Sequence, residues 1–269
     1  INQMTNLTLY HNGPSTCSQK VRLILELKKL PYESKEVNLL AGEQHDPEYV
    51  KLNPNHVVPT LVTDNGVLIE SNLILEYLDD AFPEIPARPS SPEDIHKVRL
   101  WMKQIDNFQQ YTGPITYGIA VRRLQMDKSD EEKQADLDSI PDPVKRQARK
   151  ETMEKGIEAP IVINSLKKAG EFLDHLESII EDSGWIVGDK FSLADACTLP
   201  YILRFDHLSL SEAFSENKRP KINNWYQKVK DLEFFDKAVT NLLPPPLVQM
   251  MGTFGGEVKE EALKLMEEN

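Results

Sequence analysis

Two patterns of hydrophobic and polar positions divide the chain. Over about the first eighty residues, short apolar runs alternate with turn residues, whereas from about residue 94 the apolar positions recur at helical spacing. Short apolar runs bounded by turn residues predict strands, and apolar residues every three or four positions predict amphipathic helices. We therefore expect an α/β domain over residues 5–82 and an all-helical domain over residues 94–243.

The first domain is predicted to run in the order β-α-β-α-β-β-α. Its strands and helices are expected at residues 7–10, 19–29, 32–39, 42–52, 57–62, 67–69 and 72–82. Asn65-Gly66 favours a hairpin turn because these residues accept positive φ, and Ser71 is a candidate N-cap for the last helix. Such an order packs a small mixed sheet between helices.

The remaining sequence predicts a linker, a set of helices, a charged insertion and a tail. Residues 83–93 contain four prolines and little periodicity, which is typical of a linker. The clearest helices are predicted at residues 99–111, 159–182, 192–205 and 222–239. Residues from about 126 to 156 are highly charged and predict an exposed insertion. Residues 244–269 form a tail, in which 258–268 has the spacing of an amphipathic helix.

Charge and composition argue against several kinds of partner. The net charge of −12 disfavours nucleic acid, which selects basic faces, and anionic membranes. No apolar run reaches the roughly 18 residues of a membrane span, and the first residues lack the apolar core of a signal peptide. Cys17 and Cys197 are too few for a disulfide framework or a zinc site. We expect a cytoplasmic protein without a metal.

Four separated segments resemble the glutathione transferase superfamily. They are Ser15-Thr16-Cys17-Ser18-Gln19-Lys20-Val21-Arg22, Val58-Pro59, Glu70-Ser71 and Phe191-Ser192-Leu193-Ala194-Asp195. The first looks like the Ser-Ser-Cys segment of zeta-class enzymes, and the last looks like the capping box of the family's helical domain. The resemblance covers about residues 5–240. It implies a thioredoxin-like domain followed by an all-helical domain, glutathione as cosubstrate, and a homodimer.

The Val58-Pro59 and Glu70-Ser71 segments are, by this resemblance, expected to bind glutathione. A cis bond before Pro59 would let the Val58 backbone pair with a peptide ligand, as an added strand does; the alternative is an ordinary trans-proline. Glu70 would pair with the γ-glutamyl ammonium. Ser71, at a helix N-terminus, would bind the carboxylate, and the alternative is simple capping.

Gln44 and His45 lie where related proteins contact the glycyl end of glutathione. Both side chains can donate hydrogen bonds to a carboxylate. A surface loop without any ligand remains the alternative for these two residues.

The segment Ser15 to Ser18 is the candidate for activating the glutathione sulfur. A hydroxyl that donates to the thiolate at the positive end of a helix lowers the thiol pKa. Ser15 is the first choice by its position in the zeta-like segment, although Thr16 or Ser18 could serve. Cys17 offers a different chemistry, in which it forms a mixed disulfide with glutathione. The alternatives are a helix cap for each hydroxyl and a small buried residue for Cys17.

Residues 89–121 and 129–156 resemble the bacterial β-aryl etherases, and glutathione-dependent reductive dehalogenases share a comparable insertion. Cys17 departs from the etherase pattern. The electrophile is expected between the domains, against the aromatic residues Trp101, Phe108, Tyr111, Tyr117, Tyr201 and Phe205. The alternative is that these aromatics pack the helical core. A zeta-like isomerase, thiol exchange through Cys17 and a non-enzymatic glutathione-binding protein remain the competing functions.

Overall fold

The computed structural model describes residues 6–268, which form two compact units that interleave along the chain. The first unit contains the residues up to Lys103 together with segments 181–200 and 225–244, and the second contains the other three segments, 104–180, 201–224 and 245 onward. The domain limits expected from the sequence, 5–82 and 94–243, therefore stay predictions.

A four-stranded mixed sheet is found in the described part of the chain, as the sequence predicts. Its strands are β1 (Thr8–His11), β2 (Glu33–Glu36), β3 (Thr60–Thr63) and β4 (Gly66–Leu68). Their order is β2-β1-β3-β4, with β1 and β2 parallel and the other pairs antiparallel. Leu9 and Leu61 face each other across β1 and β3, and both are fully buried. The expected third strand begins late, at Thr60, since the preceding Pro59 has no N–H for the ladder.

Three helices complete the α/β part: α1 (Thr16–Leu27), α2 (Pro47–Leu52) and α3 (Ser71–Ala81). Helices α1 and α3 contact each other, and each buries apolar residues completely, among them Leu25 of α1 and Leu78 of α3. The expected N-cap of α3 is wrong by one position. Glu70 is the cap residue and Ser71 is the first residue of the helix.

The proline-rich linker is held by a buried ion pair. Lys28 Nζ donates to Asp79 Oδ1 at 2.7 Å and to the carbonyl oxygens of Phe82 and Ile85 at 2.9 and 2.7 Å. Arg88 Nε donates to Asp79 Oδ2 at 2.7 Å. Since Lys28 and Asp79 are almost fully buried, these bonds fix the linker against α1 and α3.

The helical part is longer and more broken than its periodicity predicts. Its helices are α4 (Pro92–Thr116), α5 (Arg122–Gln125), α6 (Asp130–Asp138), α7 (Pro143–Lys155), α8 (Pro160–Ile179), α9 (Leu193–His207), α10 (Pro220–Lys230), α11 (Phe235–Ala238), α12 (Pro245–Glu257) and α13 (Lys259–Glu267). A π-helical turn, Tyr117–Val121, joins α4 to α5. The helix predicted at 222–239 is two helices, because the chain turns after Lys230 so that α11 contacts α1.

The charged insertion and the tail are both helical. Ser129 and Glu132 form a capping box at the start of α6: Ser129 Oγ accepts the Glu132 N–H at 3.2 Å and Glu132 Oε2 accepts the Ser129 N–H at 2.8 Å. The amphipathic helix expected in the tail is α13, and its Met266 is fully buried. It contacts α8 at Gly170, where a Cβ would lie 1.8 Å from the Met266 carbonyl oxygen.

Candidate functional site

The N-terminus of α1 presents partly exposed hydroxyl and thiol groups. Ser15 is the N-cap, and its Oγ accepts the Ser18 N–H at 3.2 Å. Thr16 and Cys17 are the first two residues of the helix, and both are partly exposed. The first turn contains no acidic residue, so no side-chain carboxylate there neutralises the positive end of the helix dipole.

Ser18 differs from the other three candidates of this segment. Its side chain is fully buried, and its Oγ accepts the Asn12 N–H at 3.2 Å. Ser18 therefore ties the loop after β1 to the helix.

The residues that hold this loop, Asn12, Glu36 and Arg22, were not assigned that role from the sequence. Asn12 Nδ2 donates to Glu36 Oε1 and to the Val37 carbonyl, both at 3.0 Å, and the Gly13 N–H donates to Glu36 Oε1 at 3.1 Å. A sequence signal was present in Arg22, a charged residue between the apolar positions Val21 and Leu23 of α1.

The expected cis peptide bond between Val58 and Pro59 is confirmed. Val58 is buried, and the preceding carbonyl, that of Val57, accepts hydrogen bonds from Tyr49 Oη at 2.6 Å and Asn53 Nδ2 at 3.0 Å. These bonds hold the segment firmly where it enters β3.

Glu70 has an exposed carboxylate on a left-handed backbone. Its φ is 69°, and its side chain makes no capping bond to α3. Asn55 Nδ2 donates to Glu70 Oε1 at 3.5 Å. A glutamate with positive φ is uncommon and clusters at functional positions. Ser71, the next residue, is buried and lies in the first turn of α3.

Gln44 and His45 lie in a short 3₁₀ turn before α2. The Gln44 Oε1 atom is buried and has no hydrogen-bond partner among residues 6–268. His45 is exposed, and its Nδ1 lies 3.0 Å from Nδ1 of His56. One ring donates and the other accepts in that pair.

Five of the six aromatic residues proposed for the second substrate belong to the second unit, and Trp101 belongs to the first. Trp101 is buried, and its Nε1 donates to Thr198 Oγ1 at 2.7 Å. The Phe108 ring stacks on that of Phe172, with centroids 4.0 Å apart. It meets the edges of Tyr201 and Phe205 at 5.8 and 6.4 Å. This cluster packs the helical unit.

Tyr111 and Tyr117 have different surroundings. Tyr111 is partly exposed, with its centroid 6.2 Å from that of Phe108. Tyr117 begins the π-helical turn, and the Arg149 guanidinium lies 3.9 Å from its ring centroid. π-helical turns are frequent at functional sites.

The start of α9 has the structural role that the sequence assigned to it. The Ser192 N–H donates to Asp195 Oδ2 at 2.8 Å, while the Ser192 Oγ accepts from the Ala194 N–H at 3.2 Å rather than from Asp195. Asp195 Oδ1 accepts from the Ile186 N–H and from Trp225 Nε1, at 3.1 and 2.8 Å. Burial raises the pKa of Asp195 to about 6.

Residues 6–268 contain neither a candidate metal cluster nor a candidate membrane span. No group of three histidine, cysteine, aspartate or glutamate side chains there could hold a metal ion. None of the helices in that range is long and apolar enough to cross a membrane.

Comparison with known proteins gives two domain matches. The family model of the glutathione S-transferase N-terminal domain matches residues 14–81, and that of the C-terminal domain matches residues 144–233. Together they include the start of α1, the cis-proline, Glu70, Ser71 and the Asp195 cap.

Two relatives cover most of the chain, and a third matches about one third of it. Protein LigF of Sphingobium sp. (strain NBRC 103272 / SYK-6) is 30% identical over 86% of this chain and 94% of its own. The tetrachloro-p-hydroquinone reductive dehalogenase of Sphingobium chlorophenolicum is 31% identical over 87% and 96%. A zeta-class glutathione S-transferase of Euphorbia esula is 48% identical over 91 residues, 34% of this chain and 39% of its own. The crystal structure of the β-etherase LigF matches with a TM-score of 0.76 and 26% identity, over 87% of this chain and 98% of that one.

Proposed function

The chain belongs to the glutathione transferase family, and from that premise we propose that it transfers glutathione to an aromatic electrophile of the β-aryl ether class. The observation that carries the proposal is the partly exposed Ser15 hydroxyl at the acid-free start of α1. Support for the substrate class comes from the similarity to the β-etherase LigF in sequence and in fold.

Ser15 can cap the helix and activate the sulfur at the same time. Its oxygen accepts the Ser18 N–H, which occupies a lone pair and leaves the hydroxyl proton to be donated to a thiolate. A free thiol has a pKa of about 8.5. A decrease of about two units requires about 2.7 kcal/mol of preferential thiolate stabilisation. One charge-assisted hydrogen bond and the helix dipole are together of that size.

The remaining glutathione contacts follow the polarity of the tripeptide. We assign the γ-glutamyl ammonium to the exposed Glu70 carboxylate and its carboxylate to Ser71 at the N-terminus of α3. The Val58 backbone before Pro59 would pair with the cysteinyl unit, as an added strand does. Gln44 and His45 would donate to the glycyl carboxylate.

In the proposed reaction, the thiolate attacks the carbon that bears the aryl ether, α to a carbonyl. The C–S bond forms while the C–O bond breaks, the electron pair leaves with the phenolate, and a thioether remains. Among the aromatic residues assigned to this substrate, Tyr111 is partly exposed and Tyr117 lies at the π-helical turn. Phe108, Tyr201 and Phe205 pack against one another, which gives these three less support as substrate contacts.

A second candidate function is thiol exchange through Cys17. Its side chain is partly exposed in the first turn of α1, and a relative of similar identity is a reductive dehalogenase. Here the Cys17 thiolate would attack the sulfur of a glutathionyl group already joined to the substrate's carbon. The S–S bond of a mixed disulfide with glutathione forms while the C–S bond breaks, and the carbon takes up the electron pair and a proton, so the substrate is the oxidant. A zeta-like isomerase remains a third candidate, because the zeta-class relative is similar over 91 residues.

A product screen with matched variants separates these reactions. The full chain is incubated with glutathione and an aryl ether, a halogenated phenol or a maleyl substrate, and the products are identified by mass. A thioether that is lost in Ser15→Ala and kept in Cys17→Ala supports transfer. A mixed disulfide of glutathione with Cys17, formed with the halogenated phenol and absent in Cys17→Ala, supports exchange. If wild-type protein forms no glutathione product with any class, the proposal fails.

We also propose that the protein is a cytoplasmic homodimer. Leu73 of α3 and Leu100 of α4 are apolar yet 65% and 49% exposed, and Val67 of β4 is 41% exposed. Light scattering tests the proposal, with Leu73→Glu and Leu100→Glu expected to yield monomers. Leu40→Glu, at a leucine that is 75% exposed, is the control. A reducing compartment would keep Cys17 as a thiol.

A further inference from the structure

A buried guanidinium lies beneath the loop that leads into α1. Arg22 is fully buried in the helix. Its Nε donates to the Ala238 carbonyl at 2.7 Å, its Nη1 donates to the Asn12 carbonyl at 3.1 Å, and its Nη2 donates to the Gly13 carbonyl at 2.8 Å. A buried cation is costly unless its donors are satisfied, so this position is specific for a side chain that reaches several acceptors at once.

The fourth contact of Arg22 fixes the protonation of His11. Arg22 Nη1 lies 2.9 Å from His11 Nδ1, and because a guanidinium only donates, Nδ1 must accept. The His11 proton is then on Nε2, which donates to Ser34 Oγ at 2.7 Å. Burial, followed by the charge of Arg22, lowers the pKa of His11 to about 4. Burial also lowers the pKa of Arg22 to about 10, against the opposing effect of Tyr32 and Glu36. At neutral pH, Arg22 is charged and His11 is neutral.

The same loop is held from its other side by Glu36. The Glu36 carboxylate accepts the Gly13 N–H and the Asn12 side-chain amide through one oxygen. Arg22 therefore binds the carbonyl groups of residues 12 and 13, while Glu36 binds the donors. The N–H and the carbonyl of Gly13 are therefore both hydrogen-bonded, immediately before Pro14 and Ser15 in the chain.

A segment near the C-terminal end of the first unit, which we call the strap (residues 235–242), contacts both Arg22 and Gly13. It supplies the Ala238 carbonyl to Arg22, and Lys237 Nζ pairs with Glu26 of α1 at 2.7 Å. Its Leu242 carbonyl oxygen is so near Gly13 that an added Cβ would lie 2.0 Å away. The strap and the loop belong to the same compact unit, and only glycine fits at position 13.

We propose that Arg22 is a positioning residue, which joins the strap to the loop at residues 12–14 and thereby sets the position of the Ser15 hydroxyl relative to the glutathione sulfur. This inference rests on the proposed function. Arg22 acts through Ser15 and does not touch the substrate. For this positioning, the several N–H donors of Arg22 are more important than its charge. They bind the carbonyls of Asn12 and Gly13 in the loop and that of Ala238 in the strap at the same time.

The test uses Arg22→Lys and Arg22→Met in the full chain with a reactive aryl electrophile. Displacement of the hydroxyl by about 1 Å is expected to lower kcat about 10- to 100-fold, with the KM for glutathione changed less than about threefold. The acidic limb of the pH profile of kcat/KM should move to higher pH, since a displaced hydroxyl stabilises the thiolate less. The profile must be interpreted with the groups that face Arg22, namely His11, Tyr32, Glu36 and the Glu26–Lys237 pair. Lysine should restore only part of the rate.

A second variant perturbs the same contact from the loop. Gly13→Ala forces the loop and the strap apart, whereas Gly256→Ala in α12 meets no atom within 4 Å and is the matched control. Gly13→Ala should reproduce the loss of kcat and the shifted pH profile, and Gly256→Ala should not.

The outcomes separate this inference from the proposed function. If Arg22→Met and Gly13→Ala lower only the melting temperature and keep wild-type kcat and pH profile, positioning is refuted while the glutathione reaction stands. Full restoration by Arg22→Lys refutes it too, because charge alone would then suffice. If wild-type protein forms no glutathione product, both proposals fail.

Discussion

The starts of α1 and α9 share a serine cap but differ in the third helical residue. At α9 this residue is Asp195, whose buried carboxylate accepts three donors besides the Ser192 hydroxyl. At α1 it is Ser18, and the first turn contains no acid. The Asp195 carboxylate thus neutralises the positive end of α9 within the fold, whereas no side-chain carboxylate in the first turn neutralises that of α1. One side chain thus separates a helix start with a buried carboxylate from one without any acid in its first turn.

The largest expected effect is on stability at α9. Asp195→Ala leaves the Ile186 and Ser192 N–H groups and the Trp225 indole without their acceptor. We expect a loss of about 3 kcal/mol or more, because unsatisfied buried donors are costly. Urea unfolding measures it. Glu132→Ala, in the exposed capping box of α6, is the control and should cost about 1 kcal/mol; equal losses would contradict the contrast between buried and exposed caps.

At α1 the expected effect is on turnover. Ser15→Ala should lower kcat for glutathione transfer about 100-fold, as removal of one preorganised donor does. The loss of the cap should cost only about 1 kcal/mol of stability. Steady-state kinetics and thermal unfolding of the same samples separate the two. If Ser15→Ala loses this stability but retains the wild-type kcat, Ser15 only caps the helix and does not activate the thiol.

The two helix starts should respond to pH with opposite signs. The pKa of Asp195 is raised to about 6, so its contribution to stability is present below about pH 3.9 and is lost as the pH rises through 6. The pKa of His11, beneath α1, is lowered to about 4. Its contribution is present above about pH 6.5 and is lost as the pH falls through 4. Each contribution is up to about 3 kcal/mol, since one pKa unit corresponds to about 1.4 kcal/mol.

The free energy of unfolding from pH 4 to 7 tests these signs. The excess stability of wild type over His11→Gln should grow as the pH rises, and the excess over Asp195→Asn should shrink. His207, whose pKa burial also lowers to about 4, is present in all three proteins and cancels from the differences. Parallel curves would contradict both assignments.

The smallest expected effect is on kcat/KM, in a variant that gives the start of α1 the acidic third residue of α9. Ser18→Asp introduces the carboxylate of α9 at the third position of α1, where it would repel the glutathione thiolate. We expect kcat/KM for glutathione at neutral pH to fall about tenfold, which corresponds to about 1.4 kcal/mol. Ser18→Asn is nearly the same size without the charge. If both variants lose the same activity, volume and not charge is responsible.

Local patterns in the sequence predicted the mixed sheet and most helices, since burial of an apolar face shows in its spacing. They could not separate Ser15 from Ser18, because one hydroxyl is partly exposed and the other is buried through a contact with Asn12. The break after Lys230 and the π-helical turn were also missed. Each depends on packing between distant segments, such as Gly118, where a Cβ would lie 2.7 Å from Val162.

The candidate glutathione contacts required more than spacing. Glu70 and the bond before Pro59 were identified through resemblance, and the structure adds the left-handed backbone of Glu70. Arg22 ends the segment that resembles zeta-class enzymes, but it was assigned no role there, and its only local signal is a charge between the apolar residues Val21 and Leu23. Its partner Ala238 is 216 positions away, and no local pattern links the two.

The strap has a consequence for recombination among relatives. A chimaera that joins the first eighty residues of this chain to a foreign helical domain would retain Ser15, Glu70 and the cis-proline. It would also place another protein's segment where Ala238 and Leu242 meet Arg22 and Gly13. Exchange of the two domains at the linker should therefore lower the glutathione activity of the chimaera. A chimaera that keeps residues 235–242 together with the first domain should retain more of that activity.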